Sequence, residues 1–354
     1  MNFRSSLRSI ALFTLLAGLV SCNSAPANAP AESSSPATSE AAGEAADRPI
    51  VVATHSVLCD LTRQIAASTI DLRCMIDSGV DPHVYEPTPD ARKAIDSAQL
   101  ILYGGYNFEP SLIRLIQATS NAAPKVAVDE EAVPNPLRGE HEHEHEGEAH
   151  AEDEAPDPHV WHNAQNGIQI AEVISRNLSQ LSLNNAQLYA QNAEKVTAEL
   201  AQIDTWIKSQ IETIPAESRK LVTTHDALGY YAEAYGLPIA GALSGLSTEE
   251  APTPQQVGEL VSEIKTAKVP TIFAETSVNP RLIETVAREA NVQVSEQELF
   301  ADGLGNPGSE GDTYQKMLIA NTEAIVEGLG GQVTPFRPQT SALPTRQLAA
   351  IAVR

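Results

Sequence analysis

From residue 49 onward, short apolar runs alternate with amphipathic segments. The runs at 50–53, 70–76, 100–103 and 126–128 have strand length, while 57–67 and 88–97 between them carry apolar residues at helical spacing. A second set repeats the arrangement, with runs at 220–224, 238–241, 271–274 and 292–295 separated by helical stretches at 227–235, 254–267 and 280–290. Strands alternating with helices predict parallel sheets covered by helices on both faces. Between the sets, residues 184–214 contain no Gly or Pro, and Leu188, Val196, Leu200, Ile203, Ile207 and Ile211 fall on one helical stripe. The expectation is an α/β protein with two four-stranded parallel-sheet lobes, 49–183 and 215–335. A single long linking helix over 184–214 joins them, and a tail follows over 336–354. One helix is a poorer hinge than two or three extended strands, so the lobes are expected to move little against each other.

The N-terminus reads as a targeting signal. Arg4 and Arg8 precede an apolar stretch at 10–20 that is too short to span a bilayer as a stable helix. It ends in Leu19-Val20-Ser21-Cys22, which resembles a bacterial lipobox and predicts a signal peptide over 1–21 with Cys22 lipidated. A plain secretory signal cleaved near Ser21 is the alternative. Residues 23–48 are almost entirely Ala, Ser, Pro, Glu, Asn and Gly, a composition that cannot bury enough apolar surface to order itself. The expected product is an exported domain on a lipid-anchored tether, at the periplasmic or extracellular face of the cytoplasmic membrane. No later run approaches transmembrane length. The net charge of −23 argues against nucleic acid and favours cationic ligands. Apart from Cys22 only Cys59 and Cys74 occur. In an oxidising compartment they are either a disulfide or two buried thiols.

The chemistry lies in the histidines. Of nine, six belong to two Asp-Pro-His triplets, 81–83 and 157–159, and to the His/Glu tract that carries His141, His143, His145 and His150. Neutral imidazole is a common ligand for zinc-like metals. In open α/β sheets ligands bind beyond the carboxyl ends of the strands. His83, His159, His225 and Asp302 all follow predicted strands, two in each lobe, facing one cleft. A lone histidine or an Asp-Pro turn at such a place is ordinarily structural; the set is what points to a site.

Four motifs, Gly79-Val-Asp-Pro-His83-Val-Tyr-Glu-Pro87, Asp157-Pro-His159-Val-Trp161, Thr224-His225-Asp226-Ala-Leu-Gly-Tyr-Tyr231 and Phe300-Ala-Asp302-Gly with Gly311-Asp312-Thr-Tyr314, stand in order. In these the chain resembles the substrate-binding proteins of bacterial metal-ion ABC importers, which include the ZnuA, TroA, MntC and PsaA types. The resemblance covers nearly all of 49–335. It implies two α/β lobes bridged by a long helix, an ABC permease as partner, a monomer, and one metal held by His83, His159, His225 and Asp302. It further implies zinc, because manganese-type members carry Glu where His225 stands. Three nitrogens and one carboxylate suit tetrahedral Zn2+, whereas Mn2+ prefers more oxygen. Manganese import is the first alternative reading.

Lesser expectations attach to neighbours. Glu275 is a candidate to accept a hydrogen bond from a ligand imidazole, or else a capping carboxylate. His162 is expected to face solvent or line the entrance, and His55 is equally unassigned. The tract, within a loop over 139–155, is a candidate auxiliary metal site weaker than a preorganised cleft, or else a solvated acidic loop. Four protein ligands leave no open position for an activated water, so no enzyme is expected. A metallohydrolase and an adhesin are the remaining alternatives.

Overall fold

A computed structural model describes residues 48–139 and 155–339. The signal segment, Cys22, the four tract histidines and residues 340–354 lie outside the described residues.

The first lobe is built on β1 (Ile50–Ala53), β2 (Asp71–Cys74), β3 (Leu100–Tyr103) and β4 (Lys125–Ala127), all parallel in the order β2-β1-β3-β4. Helices α1 (Ser56–Ala66), α2 (Pro89–Ser97), α3 (Pro110–Ala118), the short α4 (Val128–Ala132) and α5 (Ala164–Leu181) connect and cover them. Val51, Val52, Ile101 and Leu102 are fully buried, as expected of strands covered on both faces. Strand β2 is shorter than the apolar run 70–76, and Val128 turns into α4 rather than extending β4.

The second lobe contains β5 (Leu221–His225), β6 (Ile239–Ser244), β7 (Thr271–Ile272) and β8 (Gln293–Val294), with α7 (Gly229–Tyr235), α8 (Pro254–Ala267), α9 (Arg281–Ala290) and α10 (Tyr314–Gly328). The strands are parallel, as expected, but pair as β5–β6 and β7–β8. The two pairs meet where the Phe273 amide donates to the Val222 carbonyl at 3.0 Å. The ladder is thin because β7 and β8 are two residues each and the β5–β6 register shifts between Leu221 and Val222. Helix α8 opens with a capping box between Thr253 and Gln256 and has Pro254 at its first position, which fixes its start.

The linking helix, α6, spans Ala186–Ile211. Its buried stripe is Tyr189, Ala193, Val196, Leu200, Ile203, Ile207 and Ile211, with Tyr189 rather than Leu188 leading it, and Tyr189 meets Thr69 through a hydroxyl pair at 2.8 Å. It packs against α1 and α5 of the first lobe and α10 of the second. One hydrophobic cluster therefore runs from Val51 through the α6 stripe to Leu329, and the described residues form one compact unit. The segment after α10 lies along the same helix, where Trp206 donates its indole N–H to the Thr334 carbonyl at 2.7 Å. Cys59 of α1 and Cys74 of β2 form a disulfide, tying that helix to its neighbouring strand.

The lobes are also sewn together by specific bonds. The Tyr314 hydroxyl donates to the Trp161 carbonyl, the Tyr314 amide donates to Asp60, and the Leu304 amide donates to Ser56 at 2.9 Å. Gly167 of α5 makes room for Tyr314, since a Cβ there would run into the tyrosine hydroxyl. Replacing Gly167→Ala should therefore destabilise the metal-free protein by about 1–3 kcal/mol, the usual cost of overpacking, read as a lowered denaturant midpoint.

Candidate metal centre

Three of the four candidate ligands end a strand or lie in the loop after one, and His159 precedes a 3-10 turn. His83 lies in the loop after β2, His159 just before the 3-10 turn Val160–His162, His225 at the last position of β5, and Asp302 in the loop after β8. All four side chains are buried, none more than 4 % exposed. Their ligand atoms lie within 4.8 Å of one another.

The two Asp-Pro-His triplets form the same local turn. In each, the aspartate Oδ1 accepts the histidine amide two residues on, at 2.9 Å for Asp81–His83 and 2.9 Å for Asp157–His159. They differ in what else the carboxylate does. Asp157 Oδ1 also accepts the His159 ring Nδ1–H at 2.8 Å, which turns His159 Nε2 inward. Asp81 Oδ2 instead accepts the Thr248 hydroxyl at 2.6 Å, a bond to the second lobe.

Glu275, which follows β7, is buried and uses both oxygens. Oε1 accepts the amides of Thr224 and His225, at 2.9 and 3.0 Å, and Oε2 accepts the His225 ring Nδ1–H. His225 Nε2 is thereby left to face the centre. Asp302 Oδ2 accepts the Ser277 hydroxyl at 2.7 Å, leaving Oδ1 inward. Neither His225 Nε2 nor Asp302 Oδ1 makes a hydrogen bond among the described residues, although both are buried.

Asp302 Oδ1 stands 3.0 Å from His225 Nε2, 3.4 Å from His159 Nε2 and 3.5 Å from His83 Nε2, and the last two nitrogens are 3.3 Å apart. A regular tetrahedron with metal–ligand bonds of ~2.0–2.1 Å has edges of about 3.3–3.4 Å. These four of the six edges lie close to the spacing a four-coordinate ion requires, and all six are within 4.8 Å.

The electrostatics match this geometry. Burial raises the Asp302 carboxyl, but His225, His159 and His83 outweigh it and hold the group well below the usual carboxylate range. Burial opposes charge on His225, yet Asp302 and Glu275 raise it well above the ordinary imidazole value. His159 is also raised, against burial, chiefly by Asp157 and Asp302, whereas burial lowers His83. His225 thus contributes stability that is complete below its unfolded pKa and is lost as pH rises through its folded one. Asp302 contributes stability that is complete above its unfolded pKa and is lost as pH falls through its folded one.

His162 is not at the entrance, nor does it face solvent. It is fully buried against Trp161 and donates its Nε2–H to the Ala301 carbonyl at 2.8 Å, because the second lobe's Asp302 loop closes over it. Burial pushes it down to about 3, so it is a neutral donor. His55 is buried too, 3.4 Å from Asp129 and edge-on to Phe108, and is not among the four. It belongs to a second buried polar group with Asp129 and Glu109, in which burial raises both carboxyls. The base of the tract loop closes through Arg138↔Pro156 pairing and a bond from the Gly139 amide to the Ala155 carbonyl at 3.3 Å. Ser277 has no sequence signal beyond its place two residues after Glu275.

Residues 51–328 match the family described as ZnuA, zinc-uptake complex component A, periplasmic. The chain belongs to the ZnuA family. The manganese ABC transporter substrate-binding lipoprotein PsaA of Streptococcus mitis is 36% identical over 285 residues, 79% of this chain and 88% of the relative. A PsaA of Streptococcus anginosus is 33% identical over 326 residues, 90% of this chain and 97% of the relative. The periplasmic zinc-binding protein TroA of Treponema pallidum has a similar fold, with a TM-score of 0.73 and 29% identity over 80% of this chain and 99% of its own. Like other ZnuA-family proteins, this one is a substrate-binding component of a metal ABC importer that works with a permease, and not an enzyme. Its fold is the α/β fold of TroA.

A divalent ion entering the centre competes with protons, because His225 and His159 are both raised and both turn Nε2 toward it. Titration calorimetry in buffers of differing ionisation enthalpy should show release of about one proton per ion near pH 7, with apparent affinity falling as pH falls. Ion binding without proton release would show that His225 is not protonated in the metal-free protein.

Proposed function

We propose that the protein captures Zn2+ outside the cytoplasm and hands it to an ABC permease. In this reading His83, His159, His225 and Asp302 are the four ligands, and Asp157 and Glu275 orient two of the imidazoles. The observation that carries it is the donor set itself, three imidazole nitrogens and one inward carboxylate oxygen at near-tetrahedral spacing. Both oxygens of Glu275 are already engaged, so it offers the ion no further ligand. The zinc-binding character of TroA supports the same ion.

The exported, lipid-anchored location belongs to the same proposal, with cleavage before Cys22, a tether to residue 48, lobes over 49–183 and 215–335, and a monomeric working state. The relatives' printed description as lipoproteins supports it. Among the described residues no helix is long and apolar enough to cross a membrane. A second reading, Mn2+ as cargo, is favoured by the printed names of the PsaA relatives.

Equilibrium competition on protein stripped of metal separates the two. Zn2+ should displace Mn2+ fully, and tight Mn2+ binding that Zn2+ fails to displace would overturn the zinc reading. In His225→Glu, Zn2+ affinity should drop by more than the ~10–100-fold that loss of an outer partner costs, with Mn2+ losing less.

The tract with His141, His143, His145 and His150 is proposed as an auxiliary gatherer of metal. Because the loop's base is held by the 138–156 pairing, residues 140–154 are replaceable by a short Gly linker. That variant should lose only weaker Zn2+ equivalents in a titration and keep the tight site. Loss of the tight equivalent would place the primary site in the tract instead.

A further inference from the structure

We propose that Ser277, as a specificity-determining residue, and His162, as a positioning residue, mount Asp302 at two points and confine it to a single metal-facing oxygen. The inference deepens the functional reading above, since it rests on Asp302 being a ligand.

The mount is asymmetric and crosses the lobes. On the second lobe's own side, Ser277 donates its hydroxyl to Asp302 Oδ2 at 2.7 Å. From the first lobe, His162 donates to the carbonyl of Ala301, the residue before Asp302, at 2.8 Å. The loop is pinned once more on the far side, where the Leu304 amide donates to Ser56. Backbone and carboxylate plane are both held, and only Oδ1 is left without a hydrogen bond.

The consequence is a coordination number. A carboxylate free to rotate can offer both oxygens, and a centre with three imidazoles then becomes five-coordinate. Larger oxygen-seeking ions such as Mn2+ gain from that extra donor, whereas Zn2+ is satisfied by four. Asp81, Asp157 and Glu275 are engaged in their own hydrogen bonds, with Thr248 and His83, with His159, and with Thr224 and His225 respectively. Asp302 Oδ2, on the same carboxylate as the inward Oδ1, is the additional oxygen that a rotation of that group would offer, and Ser277 holds it away.

The test measures Zn2+ and Mn2+ affinities of metal-stripped protein, together with the visible absorption of the Co2+-loaded form. Ser277→Ala should strengthen Mn2+ relative to Zn2+ by about tenfold and weaken the intense four-coordinate Co2+ band, and Ser277→Thr, which keeps the hydroxyl, should restore both. His162→Leu should weaken both ions by about tenfold through faster release, and His162→Gln, which keeps an N–H donor, should recover most of it. An unchanged Zn2+/Mn2+ ratio and Co2+ spectrum in Ser277→Ala would overturn the role of Ser277. A His162→Leu protein with a lower metal-free melting point but an unaltered metal-induced shift would reduce His162 to a packing residue. Unaltered tight binding in Asp302→Ala would instead sink the ligand assignment itself, apart from either outcome.

Discussion

The structure turns on one buried oxygen. Asp302 Oδ1 stands within 3.5 Å of three imidazole nitrogens, with no hydrogen bond of its own and almost no contact with solvent. A carboxylate in that position is costly unless positive charge faces it. In the metal-free protein the raised His225 supplies that charge, and a bound cation would supply it in its place. The same arrangement stabilises the empty centre and makes it a proton-linked receptor.

Keeping four such groups converged requires a frame that does not relax. Two of the four groups belong to each lobe, so any rotation between lobes would open the cluster. Helix α6 prevents this by burying its stripe against α1 and α5 on one side and α10 on the other. Tyr314, Ser56 and Thr248 add bonds across the boundary close to the ligands themselves. The disulfide fixes α1 to β2, the strand from which the His83 loop departs.

Much of the fold was legible because periodicity reports burial. Alternating apolar runs gave the strands of both lobes, α1 and α2 of the first and α7 to α9 of the second, and the Gly- and Pro-free stretch before Pro215 gave α6. The thinness of the second sheet was not legible: an apolar run such as 271–274 looks the same whether it pairs over two residues or four. The helix Tyr314–Gly328 was read only as a motif, since its buried face includes Gln315, Asn321 and Thr322 and so blurs the apolar stripe.

The sequence by itself determined which residues converge. The two Asp-Pro-His turns are local, each built from an aspartate and the amide two residues on, so His83 and His159 come with their turns ready made. It also marked Glu275 as a neighbour of the centre. Only the tertiary structure decided how His225 and Asp302 are aimed, whereas His159 is turned by Asp157 within its own triplet. The partners that do the aiming, Ser277 for Asp302, Glu275 for His225 and His162 for the Ala301 carbonyl, act across 25, 50 and 139 residues of chain. Hydrogen bonds of that range leave no periodic trace, because the first two form only once the second lobe has folded and the third only once both lobes have packed on α6. His162 shows the difference plainly: a polar residue that its composition places in solvent becomes, once the second lobe closes, the buried donor that holds the Asp302 loop.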